Sequence, residues 1–456
     1  MKRNIRYTVL LLVFITAAGF VVLKFKGDKK KELAATYPLL ERKGAGKQTA
    51  EWMNARNSVT RLTNGLKSDP TDSKAMIALA NLYILEARAT GNYAYYDKAA
   101  MKYVEAVLER DQNNFDALTL KALIFLSQHH FSEGLAIAQQ AEKINPYNAF
   151  LYGILVDGHV EMGNYDSAVM SAEKMMAIRP DLRSYSRASY LREIHGDYPG
   201  AIEAMQLAID AGLPGDEATE WSRAQLGQLY EHVGDIVKAA ECYEMSLSVR
   251  PAYVHALAGQ ARIALAEKNY SKANLLYQEA DSLGGDFTLK EELINTYRLA
   301  GEEEKALALS KTMISAMAQN AAEANKDNSI GHYADKELAL AYLEVGDYQK
   351  ALDYALAEYN RRPKNIEVNE ILAWVYHLKG ENPKSIIYIN AALKTNSVNP
   401  VLMSRAGFIF QKADQQEKAR MYFEKALKDD ALMPVHLKTA AMTALNQGVN
   451  AKTPVW

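Results

Sequence analysis

"LAYLEVGDYQKALDYALAEYNRRP", Leu340 to Pro363, decides how this chain reads. Echoes of it recur: "GNYDSAVMSAEKMMAIRP" from Gly163 to Pro180, "LGQLYEHVGDIVKAAECYEMSLSVRP" from Leu226 to Pro251, and "QKADQQEKARMYFEKAL" from Gln411 to Leu427. The small residue after each Gly/Asn/Asp turn serves as an anchor. The anchors are Ala99, Gly134, Ala168, Ala201, Ala239, Ala273, Ala306, Ala351, Ser385 and Ala419, with successive spacings of 35, 34, 33, 38, 34, 33, 45, 34 and 34. Self-similarity at such a period marks a repeat architecture.

Each recurring position has a physical role. Twelve residues past an anchor stands Pro146, Pro180, Pro251 or Pro363, which lacks an N–H and halts a helix. Twelve before it stands a small residue in most copies: Ala122, Ser189, Gly227, Ala261, Ala339, Ala373 or Gly407. Small residues at both positions let two helix backbones approach. An aromatic three residues further on (Phe125, Tyr230, Tyr297, Tyr342, Tyr376 or Phe410) fills the space beside that contact. The glycine of the turn accepts the left-handed conformation that ends a helix. Apolar residues elsewhere follow i, i+3, i+4 spacing, which is helical. One such pair cannot bury its own apolar face, so the pairs must stack.

The pattern resembles the tetratricopeptide repeat. Leu226-Gly227-x-x-Tyr230 with Ala239, Tyr243 and Pro251 carries the resemblance most fully. Leu338-Ala339-x-x-Tyr342 with Ala351 and Pro363, and Ala406-Gly407-x-x-Phe410 with Ala419, Phe423 and Ala426, are close behind. The family's tryptophan is missing from every copy. The resemblance implies an all-α, right-handed superhelical solenoid of antiparallel helix pairs, about ten repeats, with a concave groove lined by each pair's first helix. The expected organisation is a signal or anchor segment over 1–26, a linker over 27–48, an N-terminal capping helix over 49–70, the solenoid over 71–432, and a C-terminal capping helix and tail over 433–456. Extra residues around Arg88–Tyr96, Ala211–Glu220 and Asn325–Gly331 should map to loops.

The chain has 456 residues, 49% hydrophobic and 24% charged, with formal net charge −2. That balance is globular and gives no general attraction for nucleic acid. Cys242 is the one cysteine, which excludes an intramolecular disulfide and a Cys-x-x-Cys site. The start differs in kind: Lys2, Arg3 and Arg6 precede a run from Tyr7 to Leu23 without charge. Seventeen helical residues span ~26 Å, enough for a thin bilayer. "TAA" at Thr16–Ala18 allows cleavage, while apolar residues beyond it favour an uncleaved signal-anchor. Positive residues on both flanks leave topology open. The basic head favours a single-pass protein of a bacterial inner membrane with its solenoid in the periplasm. The alternatives are periplasmic secretion after cleavage and a solenoid facing the cytoplasm.

No catalytic, cofactor or metal motif appears. "GAGKQT", Gly44 to Thr49, ends like a phosphate-binding loop but has Glu41 in place of its first glycine and Gln48 after Lys47. His129 and His130 are adjacent, read as surface residues with poor metal geometry, and Cys242 reads as structural. The resemblance also implies a test for a carboxylate clamp. The matching groove positions include Gly153/Asp157, Ser186/Tyr190, Ala258/Arg262, Glu291/Asn295 and Lys336/Leu340, and they assemble none. Leu340, Trp374 and Phe408, each 34 apart, form an apolar stripe on the groove side. It suits an amphipathic helix or extended peptide, or the chain's own last helix. The expected function is a non-catalytic scaffold or adaptor at the cell envelope that binds partner proteins or peptides, without nucleic acid, cofactor or small-molecule substrate. The alternative is an accessory subunit of an envelope enzyme or of a secretion or assembly machine.

Overall fold

The computed structural model describes residues 37–284, 287–326, 331–428, 433 and 435–447, with isolated positions between 13 and 24. Among the described residues the chain is helical without strands. A single helix, α1 (Ala50–Ser68), comes first. Ten pairs follow: α2 (Ser73–Thr90) with α3 (Tyr93–Leu108), α4 (Phe115–Ser127) with α5 (Phe131–Ile144), α6 (Ala149–Glu161) with α7 (Tyr165–Ile178), α8 (Leu182–Ile194) with α9 (Tyr198–Asp210), and α10 (Glu217–His232) with α11 (Ile236–Val249). The second half continues with α12 (Val254–Ala266) and α13 (Tyr270–Gly284), α14 (Phe287–Leu299) and α15 (Glu303–Lys326), α16 (Asp335–Glu344) and α17 (Tyr348–Arg361), α18 (Ile366–Leu378) and α19 (Asn382–Ala392), and α20 (Pro400–Lys412) and α21 (Gln416–Lys428). A last single helix, α22 (Val435–Gln447), packs on both helices of the final pair.

The repeat positions perform the roles their residue types suggest. Nine of the anchors are buried small side chains, and the tenth, Gly134, leaves no room for a Cβ, which would meet Leu126 at 2.8 Å and the Ala122 carbonyl at 3.1 Å. Where serine replaces alanine, it bonds across the pair: Ser189 Oγ donates to Ala201 O, and Ser385 Oγ donates to Ala373 O, each at 2.7 Å. Gly227 and Gly407 leave space for Tyr243 and Phe423, whose rings an added Cβ would meet at 2.5 Å. The four helices before a repeat proline each stop two residues short of it. Asn145, Arg179, Arg250 and Arg362, which precede those prolines, leave helical geometry, as proline's ring demands of its predecessor.

A further regularity becomes visible only in three dimensions. Tyr342, Tyr376 and Phe410 stack on Tyr354, Tyr388 and Tyr422, three residues past their anchors, at centroid distances of 5.4–5.5 Å. The lysine just before each anchor, Lys350, Lys384 or Lys418, lies over the first ring at 4.8–5.2 Å. Each such contact contributes on the order of 0.5–1 kcal/mol at an exposed site.

Two expectations need correction. Part of the extra sequence lengthens helices, while 211–216 and 331–334 are non-helical as expected and 327–330 lie outside the described residues. Helix α2 has 18 residues and α10 has 16, against 13 in several other first helices, and α15 runs for 24. From Tyr37 on, the segment read as a linker is a strap bound to the first pair. Tyr83 Oη donates to Tyr37 O at 2.6 Å, Tyr95 Oη donates to Pro38 O at 2.7 Å, and Leu40 N donates to Tyr96 Oη at 3.0 Å. Arg42 is buried in an ion pair with Glu86 at 2.7 Å.

The solenoid closes on itself. The turn inside each of the first four pairs lies against the junction preceding a pair much later in the chain. Gly91 faces Gly284, His129 faces Tyr333, Gly163 faces Lys364, and Gly196 faces Asn396. These partners are separated by about 200 residues, or about six repeats of 34. Successive turns of the superhelix therefore touch, and form a seam. Glycine is required at Gly163 for two reasons: its φ is +72°, and a Cβ would lie 2.3 Å from the Lys364 backbone. Among the described residues, the corresponding turn glycines Gly234, Gly301, Gly346 and Gly380 have nothing within 4 Å.

Candidate functional site

The first helices of successive pairs are joined by a ladder of charge pairs. Arg187 of α8 binds Asp157 of α6 at 2.6 Å, and Glu193 of α8 meets His232 of α10 at 3.4 Å. Arg262 of α12 lies between Glu231 of α10 at 2.9 Å and Glu292 of α14 at 3.5 Å. Arg298 of α14 pairs with Glu344 of α16, Lys336 of α16 with Glu367 of α18 at 2.9 Å, and Arg405 of α20 with Glu370 of α18 at 2.8 Å. Arg262 and Lys336, the cations among the clamp-matching positions, are engaged in these pairs. Burial works against the charge of Arg262, but Glu231 and Glu292 outweigh it and raise its pKa. Glu367 holds Lys336 in its charged form in the same way.

Tyr190 stands in the middle of this face. Its side chain is 39% exposed, yet Glu161, Glu193 and Tyr165 from its own turn and Glu367 from the next all act on its hydroxyl. Burial, followed by those carboxylates, raises its pKa well above the usual phenol value.

The seam carries the second cluster. Arg362 is buried to 1% exposure and joins Glu161 of the earlier turn to Glu358 of the later one, with its guanidinium 4.6 Å from the Phe131 ring. Tyr165 Oη accepts from Ile366 N at 2.9 Å, and Asn365 Nδ2 donates to Glu161 O at 3.1 Å. Beside them lies a polar cavity of about 410 Å³ lined by Gly163, Tyr165, His195, Lys364, Lys394 and Thr395 among others.

His129 and His130 differ from the surface placement expected of them. Both sit in the seam. His129 Nδ1 lies 3.0 Å from Tyr333 O, and His130 Nε2 lies 2.6 Å from Gly331 O. One ring nitrogen each of His129 and His332 and an oxygen of Glu337 lie within 4.8 Å of one another, a set that could hold a metal ion. Burial first, then His332, Lys336 and Arg362, push His129 down to about 2. Burial and His130 push His332 down to about 4. Both rings are neutral near pH 7. Sequence reasoning missed His332, Glu337, Glu161 and Arg362. Their only signal was a separation of about six repeats, which acquires meaning once the superhelical pitch is known.

The other sequence-marked residues fall as follows. Leu340 is half-buried, whereas Trp374 and Phe408 are each about 1% exposed. All three pack in or against one apolar cluster that also contains Met433 and, from α22, Leu437, Ala441 and Ala444. Trp374 stacks on His377 at 5.0 Å and carries Arg405 over its face at 5.5 Å. Cys242 is half-buried and burial raises its thiol to about 11, which leaves little reactive thiolate at neutral pH. Gly44–Gln48, the phosphate-loop echo, forms a short 3₁₀ turn that leads into α1.

The fold is an all-α solenoid of about ten antiparallel helix pairs, of the tetratricopeptide-repeat type. The chain is similar to the following known proteins. Residues 336–400 match the model of the tetratricopeptide repeat family. Over 82 residues the chain is 35% identical to the small glutamine-rich tetratricopeptide repeat-containing protein 2 of Saccharomyces cerevisiae, covering 18% of this chain and 23% of that relative. The chain thus spans under a quarter of the curated relative's length. Among solved structures, a tetratricopeptide repeat protein from Parabacteroides merdae is 17% identical, covering 54% of this chain and 93% of its own, with a TM-score of 0.42. The human IFIT1 dimer with PPP-AAAA is 12% identical, covering 84% and 90%, with a TM-score of 0.45.

Among the described residues no helix is long and apolar enough to cross a membrane. The basic head and most of the uncharged run Tyr7–Leu23 lie outside the described residues.

Proposed function

We propose that this chain is a non-catalytic scaffold that holds an extended protein segment against its inner face. The carrying observation is Tyr190, an exposed aromatic set among ion pairs that a partner's charges could exchange with. Aromatic anchors surrounded by polar groups are the usual centres of such binding. Mixed charge along the face suits a segment carrying both signs, not a purely acidic tail. Leu340, Trp374 and Phe408 join the contact only when α22 is displaced, since they share its apolar cluster. The location proposed is the periplasmic face of a bacterial inner membrane, with residues 1–26 as tether. It is supported by the basic residues ahead of the uncharged run and by the residues that continue past Ala18.

A pull-down from detergent extract tests the scaffold reading. Tyr190→Ala should lower partner capture about tenfold or more, ~2 kcal/mol, with helicity intact. A partner retained equally by that variant places binding elsewhere. Protease added to intact spheroplasts tests location: digestion of the solenoid supports the periplasm, and full protection until lysis places it in the cytoplasm.

A further inference from the structure

We propose that His129, His332 and Glu337 bind one divalent first-row transition metal ion, of which zinc is the type, and that the ion clips the second repeat to the eighth. The three residues come from the turn after α4, the junction before α16 and the first turn of α16. Two histidines with a carboxylate form a donor set that such ions favour.

Four observations carry the assignment. The first is proximity, with all three ligand atoms within 4.8 Å. Two ligands of a tetrahedral ion at ~2.1 Å each stand ~3.4 Å apart, so the side chains need draw in by little more than an ångström. The second is orientation. His129 Nδ1 lies 3.0 Å from Tyr333 O and 3.6 Å from Glu337 Oε1, so this edge of the ring faces the carboxylate. The third is Glu337, whose Oε2 is buried without a hydrogen-bond partner, an arrangement that costs free energy unless something binds it. The fourth is the ring contact. The His129 ring centroid lies 4.1 Å from that of His332, on a turn whose left-handed φ of +63° the equivalent Lys268 and Asp414 share.

The nearby cations do not oppose an ion strongly, because each has its own partner. Lys336 is bound to Glu367, and Arg362 to Glu161 and Glu358. Glu358 also acts on both His332 and Glu337, which adds negative charge beside the set. The ion would tie residues about 200 apart in sequence, closing a long loop across the seam.

The experiment uses the full chain, stripped with chelator and titrated with Zn2+ by calorimetry, and with Co2+ by visible absorption. One equivalent should bind, the cobalt form should show intense four-coordinate bands, and the unfolding temperature should rise with the ion. His332→Ala, which changes a junction side chain, and the near-isosteric Glu337→Gln should each weaken binding at least 100-fold. His130→Ala, outside the set, should retain it. Weak multi-site binding, or stoichiometric binding unchanged in both His332→Ala and Glu337→Gln, would overturn the proposal. If either variant unfolds, the wild-type cobalt spectrum decides: absence of four-coordinate bands rejects the site.

Discussion

At the scale of single residues, this chain is governed by how closely two helices approach at each anchor and by what fills the space beside it. Trp374 illustrates the second. Its ring is buried among Phe408, His377 and Arg405. Trp374→Ala should therefore cost ~3–5 kcal/mol, measured by denaturant unfolding, instead of acting chiefly on a partner. His377, stacked on that ring, makes a pH prediction. Burial, with Lys412 nearby, lowers its pKa to about 4 from an ordinary 6.5. Stability from this group is present above pH 6.5. As pH falls from 6.5 to 4 the unfolded chain takes up the proton first, so stability is lost across that window, by up to ~3 kcal/mol. His377→Phe, which keeps the ring, should flatten that part of the stability-versus-pH curve. An unchanged slope would show that His377 titrates normally.

At the scale of elements, the turn inside each pair has two environments, although its sequence is similar in both. Gly163 and Gly346 occupy equivalent turns with φ of +72° and +75°. Gly346→Ala should cost only the left-handed penalty, ~1–2 kcal/mol. Gly163→Ala adds a collision with the Lys364 backbone and should cost ~1–3 kcal/mol more, since overpacking against main chain cannot be relieved by a rotamer change. Equal costs in thermal unfolding would mean that the seam does not form in solution. The end helices form a second pair of elements. Deleting 433–456 uncovers the apolar cluster around Phe408 and should lower stability and promote aggregation, as terminal repeats need a cap.

At the scale of the whole molecule, the seam makes this solenoid closed instead of spring-like. Arg362 is its centre. Arg362→Ala leaves Glu358 buried without this partner and removes the link to Glu161. The expected loss is ~3–5 kcal/mol. Small-angle scattering should show a larger radius of gyration, and backbone hydrogen exchange should rise near Phe131 and Tyr165 while the other pairs stay protected. A chain that keeps its radius would show that packing, not this ion pair, holds the turns together.

The sequence by itself determined the local unit: helix pair, turn, small-residue contact, aromatic filler and terminal proline. All these interactions join residues within about 40 positions, so their spacing is written in the chain. The ten anchors were legible for the same reason. Only the tertiary structure decided the pitch, and the pitch decides which turn meets which junction. A change of a few degrees per repeat, accumulated over six repeats, would move Gly163 away from Lys364 and His129 away from His332. No residue type encodes that sum. The closed seam and the histidine–glutamate cluster follow from it. They were invisible in the repeat because they join parts of the chain that the repeat treats as equivalent.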